Sequence, residues 1–297
     1  LKEKLMSPHL LPFAVITLAA AVVNGALGYG FSSITVPMAL LFTAGRVLNP
    51  ALVLVELVLN GYVLFVNREA LPDVRRRMTP VVAGLLPGVA AGTLAVAFVR
   101  PDWLKLWTFA LLLPLILLQA AGVRRPIRAE RRWALPFGTG IGALYALTTI
   151  SGPPLALFLN NQGLAKREFR ASLAFVRVAE AALTAAAYAY AGFFTRQSLA
   201  LVPIMVPSLL VGVPLGAWII RRVDVETFRR ICMSVDAWIV GFGISALLRV
   251  LHVVDGPEAF AVLAAVAAVD SVLLSRFFAT HRRPRTALAP SLSHGEA

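Results

Sequence analysis

Long apolar blocks alternate with short polar or basic stretches along the whole sequence. Residues 10–27, 47–67, 78–99, 104–122, 199–220, 231–248 and 259–275 each approach or reach the roughly 20 residues a helix needs to cross hydrocarbon. Residues 134–150 and 171–191 are shorter or more polar and still fit. A secretory signal peptide does not account for a pattern that continues through the chain. The pattern predicts an all-α polytopic membrane protein. Two of its apolar stretches are interrupted by small residues. One reads Gly28-Tyr29-Gly30-Phe31-Ser32-Ser33, the other Thr148-Thr149-Ile150-Ser151-Gly152-Pro153-Pro154. Clustered Gly and Pro break the helical hydrogen-bond ladder. The pieces that follow are short, so a hairpin of partial helices is expected at each break.

The two breaks belong to an internal repeat. Gly25, Ala26, Leu27, Pro37, Ala39 and Leu40 recur 117 positions later as Gly142, Ala143, Leu144, Pro154, Ala156 and Leu157. Gly88 and Gly92 form a Gly-x-x-x-Gly pair in one half, and Gly212 and Gly216 form one in the other. Such pairs let helix backbones approach closely in lipid. The reading is two membrane repeats, 10–122 and 134–250, divided by a basic loop from Arg124 to Arg132. An extra transmembrane helix over 259–280 and a disordered basic tail over 281–297 complete it. Each repeat is a broken, re-entrant helical hairpin plus three transmembrane helices.

Charge refines this picture. The chain has 297 residues, 59% hydrophobic and 14% charged, against about 25% charged in soluble domains. Its net charge of +13 sits in short loops between apolar blocks, where Lys and Arg set topology rather than bind nucleic acid. If each hairpin starts and ends on one side, each half crosses three times and the second half is inverted. Arg68, Arg75–Arg77, the Arg124–Arg132 loop, Lys166, Arg167, Arg170, Arg221, Arg222, Arg229 and Arg230 then all face the cytoplasm, as does the C-terminus. The expected topology is therefore two inverted repeats. Cys232 is the sole cysteine, and the four histidines show no ligand spacing, so neither a disulfide framework nor a metal or other cofactor is indicated.

Inverted repeats with discontinuous helices are a transporter signature. A helix N-terminus offers free N–H donors and partial positive charge to an anion. The pieces starting after Gly30 and after Ser151-Gly152 supply two. The candidate binding residues are Gly28, Gly30, Phe31, Ser32, Ser33, Thr148, Thr149, Ser151, Gly152 and Pro153, with Arg177 as a guanidinium for an oxyanion. Charges inside spans are costly and point to function. Glu56 and Asn60 share one helix face, and Arg177 and Glu180 share another. Glu56, Asn60 and Glu180 are candidates for coupling, with protons as the coupling ion, or for ion pairing. A permanent Arg177–Glu180 or Arg177–Glu56 pair that only fixes packing is the competing reading. Trp103, Trp107, Trp133, Trp218 and Tyr190 fit an interfacial belt, and Arg46 fits a solvated loop.

The duplicated halves, the Gly28-Tyr29-Gly30-Phe31 break followed by Pro37, and Ser151-Gly152-Pro153-Pro154 resemble the TauE/SafE sulfite exporter family, also called the TSUP anion permeases. The resemblance covers residues 10–250. It implies transport of sulfite, a sulfonate such as sulfoacetate, or a related sulfur-containing anion across a bacterial inner membrane. Gly-Phe-Ser-Ser stands here where many members have a run of glycines. Two other functions compete. Asp236 and Asp270 could form an intramembrane aspartyl dyad, although their contexts lack the Tyr-Asp and Gly-x-Gly-Asp pattern. A channel with Gly28-Tyr29-Gly30 as filter would need repeated copies, and Ala146 stands where the repeat would place Tyr29.

Overall fold

The computed structural model describes residues 10–121, 130–160, 164 and 166–281. Every regular element among the described residues is helical. The first half comprises α1 (Leu10–Leu27), α2 (Phe31–Ala39), α3 (Gly45–Val66), α4 (Leu71–Phe98) and α5 (Pro101–Ala120). The second comprises α6 (Glu130–Thr148), α7 (Gly152–Asn160), α8 (Lys166–Tyr190), a short α9 (Arg196–Leu199), α10 (Val202–Ile219) and α11 (Val225–Val250). The extra helix, α12 (Ala261–His281), follows a 3₁₀ turn at Pro257–Phe260. Both halves share one order: a long helix, a break, a nine-residue helix, then three long helices. Among the described residues seven helices are long and apolar enough to cross a membrane: α1, α3, α4, α8, α10, α11 and α12. The loop over 122–129 and the tail over 282–297 lie outside the described residues.

The breaks fall where the small residues cluster, and the reason is local. Gly28 and Gly30 have φ of 84° and 110°, a region closed to most residues with a Cβ. In the second half Thr149 holds φ 57°, and Ile150 N–H donates to Thr148 Oγ1 at 3.0 Å. The threonine side chain thus satisfies a donor that the interrupted helix leaves open. Each hairpin is lopsided. Its first arm is a full-length helix of 18 or 19 residues and its second has nine. α2 packs against α1, whereas α7 rests on α8 and α5.

The halves interlock. α1 packs along α10, and α6 along α4. Glycine makes both contacts possible. A Cβ on Gly216 would lie 1.9 Å from the Val22 carbonyl oxygen, and one on Gly88 would lie 2.1 Å from that of Thr139. The Gly-x-x-x-Gly pairs are therefore seams between halves. α3 crosses α8, and α5 packs on α11. Arg46 is not merely solvated. Its guanidinium donates to the carbonyls of Val96, Ala97 and Val99 at 3.0–3.1 Å, closing the C-terminus of α4.

Candidate functional site

The two breaks meet. A Cβ on Gly152, at the start of α7, would stand 3.4 Å from Cβ of Tyr29, in the break before α2. The N-termini of both short helices are thus brought to one region. Phe31 and Ile150 are buried together in the same apolar cluster. Ser32, Ser33, Thr148, Thr149 and Ser151 are all buried.

Crossing this region, α3 and α8 face each other with their charged turns. Arg177 Nη2 donates to Glu56 Oε1 at 2.6 Å, and both side chains are buried. The Tyr145 hydroxyl, from α6, donates to Glu56 Oε2 at 2.9 Å. Glu56 therefore has both oxygens engaged. Arg177 has spare capacity, because its Nε and Nη1 find no partner among the described residues. One turn along α8, Glu180 Oε2 accepts from Ser151 Oγ at 2.5 Å, while Oε1 has no partner among the described residues. Ser151 thus ties the second break to the charged cluster.

The other candidates take different roles. The Thr148 hydroxyl donates to the Leu144 carbonyl at 2.7 Å, and that of Thr149 donates to the Thr148 carbonyl. Both hydroxyls are spent on backbone. The Ser33 hydroxyl, by contrast, is buried and without a partner among the described residues. Asn60 donates to the Glu56 carbonyl at 2.8 Å, within its own helix. Pro153 is held in the first turn of α7, and Gly28 and Gly30 shape the first break.

Three contributors escaped sequence reading. Tyr145 stands at the repeat position of Gly28, so its departure from the repeat was the available signal. Asn49 donates to the Leu147 carbonyl at 2.9 Å, and the Tyr188 hydroxyl donates to that of Ala146. Both satisfy carbonyls near the end of α6 that the break releases. Asp270 belongs to a separate polar contact. It accepts from Arg230 at 2.7 Å and from Ser234 at 3.3 Å, fastening α12 to α11. No cluster that could hold a metal ion occurs among the described residues.

The arrangement offers one fixed cation, two carboxylates and two helix N-termini in a dry setting. That set is suited to holding a small anion. A family model described as "Sulfite exporter TauE/SafE" matches residues 13–242. The match takes in both breaks and all the charged residues of the cluster, and it stops short of α12. Comparisons with curated proteins and with solved structures returned no match.

Proposed function

The chain belongs to the TauE/SafE sulfite exporter family, and from that premise we propose a secondary exporter of sulfite, a small organosulfonate or a related sulfur-containing anion. The family and the apolar helices make it a multi-pass membrane transporter and not an enzyme. The anion is bound where the two breaks meet, against the spare N–H groups of Arg177. The observation that carries this reading is the approach of Gly152 to Tyr29 beside a buried guanidinium with two unpartnered nitrogens.

Protons are the proposed coupling ion. In the empty site Glu56 neutralises Arg177. An anion arriving at Arg177 adds a negative charge near that carboxylate. At about 4 Å and an effective dielectric of about 20 such a repulsion costs roughly 4 kcal/mol. Protonation of Glu56 removes it, with Glu180 as a second carrier. One proton then accompanies each singly charged anion, so export runs where the outward anion gradient exceeds the inward proton gradient.

The membrane is a bacterial inner membrane, with the basic ends and the C-terminus on the cytoplasmic side. The inverted relation of the halves draws support from α3 and α8, which are repeat counterparts. Glu56 meets Arg177 and Glu69 meets Arg167, so these two helices run antiparallel.

The test is thermal unfolding of purified protein against sulfite, sulfate, thiosulfate, sulfoacetate and taurine, repeated at two pH values. A ligand of the folded state raises the transition by mass action. One or more sulfur oxyanions should do so in the wild type and none in Arg177→Gln. Anion-dependent stabilisation that survives in Arg177→Gln removes the guanidinium from the site.

A further inference from the structure

Away from the charged cluster, the halves differ in one packing. α4 lies closely along α8, whereas α10 stands off from α3, its counterpart contact. The space left between α1, α3 and α10 is a cavity of about 830 Å³. Its long walls run from Leu54 to Val66 on α3 and from Val202 to Ala217 on α10, with valine and leucine dominating. At 1.5 Å per residue these walls are roughly 20 Å long. The outer rim is open, with Val58 74% and Leu210 71% exposed.

One end of this groove is polar, and the helix register locates it. Gly216 meets the backbone of Val22 and Ala26, which puts Gly28 level with the last turn of α10. Glu69 pairs with Arg167 at 2.5 Å, which puts Asn67 level with Arg170. Arg170 joins the two, because a Cβ on Gly28 would lie 3.9 Å from its Nε. Arg170 and Asn24 both line the cavity here. Asn24 is 4% exposed and its Nδ2 has no partner among the described residues. Arg170 has no hydrogen bond or ion pair among the described residues. The exposed Arg68, Arg221 and Arg222 follow the same helix ends.

We propose that the groove between α3 and α10 binds one acyl chain of an anionic phospholipid, with Arg170 and Asn24 holding its phosphate. A slot open to hydrocarbon that stayed empty would forfeit dispersion contacts along its whole lining. One leaflet of hydrocarbon is about 15 Å deep, so a single chain fills most of the groove. Unpaired cations at the membrane-surface end of a span attract anionic headgroups. A small free anion would leave the apolar walls uncovered, and a zwitterionic lipid would leave Arg170 without a net counter-charge. Gly28 is part of the first break, so the bound phosphate sits one residue from Tyr29.

The experiment uses the full chain in nanodiscs of phosphatidylglycerol or phosphatidylcholine. After transfer to a neutral detergent, retained lipid is counted by native mass spectrometry. The wild type should keep one phosphatidylglycerol with at least a tenfold preference. Arg170→Gln should lose the preference, and Val206→Trp, which fills the groove, should lose retention. Leu209→Phe is the milder filling variant if Val206→Trp does not fold. Equal retention of the two lipids by the wild type, or retention unchanged in Arg170→Gln and in the filling variant, overturns the proposal. A long-chain alkanesulfonate that displaces the lipid and accumulates in proteoliposomes also overturns it, and makes the groove a cargo site instead.

Discussion

Arg177 on α8 reaches Glu56 on α3 across 2.6 Å, with side chains 1% and 0% exposed. The pair joins the two helices that the duplication makes counterparts, so it stands on the seam between the halves. Its partner choice sets the chemistry of the cluster. Glu56 is saturated by Arg177 and Tyr145, while among the described residues two nitrogens of Arg177 and one oxygen of Glu180 have no partner. On the proposed reading an anion therefore finds donors on Arg177 beside those that hold Glu56.

Removing one member of a buried pair leaves the other charge uncompensated. Arg177→Ala should destabilise the protein by about 3–5 kcal/mol, measured by thermal unfolding in detergent. Adding Glu56→Gln should recover most of that loss without recovering anion binding. A double variant as unstable as the single one would mean that Glu56 is not the group left stranded.

On the proposed proton coupling, anion affinity should rise as pH falls. Methanesulfonate is the useful probe, since it stays ionised across the range. Glu56→Gln mimics the protonated state. It should bind methanesulfonate at least as tightly as the wild type does at acidic pH, and equally at alkaline pH. Calorimetric titration at the two pH values checks this, and an unchanged pH slope in Glu56→Gln would assign the proton elsewhere.

The glycine seams differ sharply from glycines that touch nothing. Gly216→Ala drives a methyl to 1.9 Å from the Val22 carbonyl and should cost about 1–3 kcal/mol as α1 and α10 are pushed apart. Gly140→Ala meets nothing within 4 Å and should gain about 0.5–1 kcal/mol, the ordinary benefit of alanine in a helix. Melting temperatures that move the same way in both would refute the seam.

Arg230 and Asp270 hold the extra helix, with side chains 3% and 0% exposed. Asp270→Ala should loosen α12, seen as faster proteolysis within 251–260. Arg230→Met with Asp270→Leu replaces the pair by apolar groups and should restore resistance. Because α12 lies outside the family match, anion-dependent stabilisation should persist in the double variant.

Much of the architecture was legible because its causes are local. Apolar runs of about 20 residues can satisfy their backbone in lipid only as helices. The breaks were legible for the same reason. Gly28 and Gly30 adopt left-handed backbone, and α2 and α7 begin at Phe31 and Gly152. The repeat also showed where to look, since Arg177 and Glu180 lie in the helix that matches Glu56 and Asn60. The lopsided shape of the hairpins was less visible, because hydropathy does not distinguish one broken helix from a full helix with a short return.

The helical class, the two breaks, the small-residue seams and a charged turn on each of two matching helices were readable in the order of the amino acids. All of these follow from residue type and spacing of a few positions. Tertiary structure alone decided which groups meet. Arg177 had a carboxylate three positions away and took one 121 positions away, because a partner on a facing helix can approach end-on. It also decided that Thr148 and Thr149 serve their own backbone while Ser33 has no partner among the described residues. Whether α10 would close on α3 as α4 closes on α8 is equally unwritten in the repeat. Hydrogen-bond donors and helix faces choose among competing neighbours, and that competition exists only once the helices are packed.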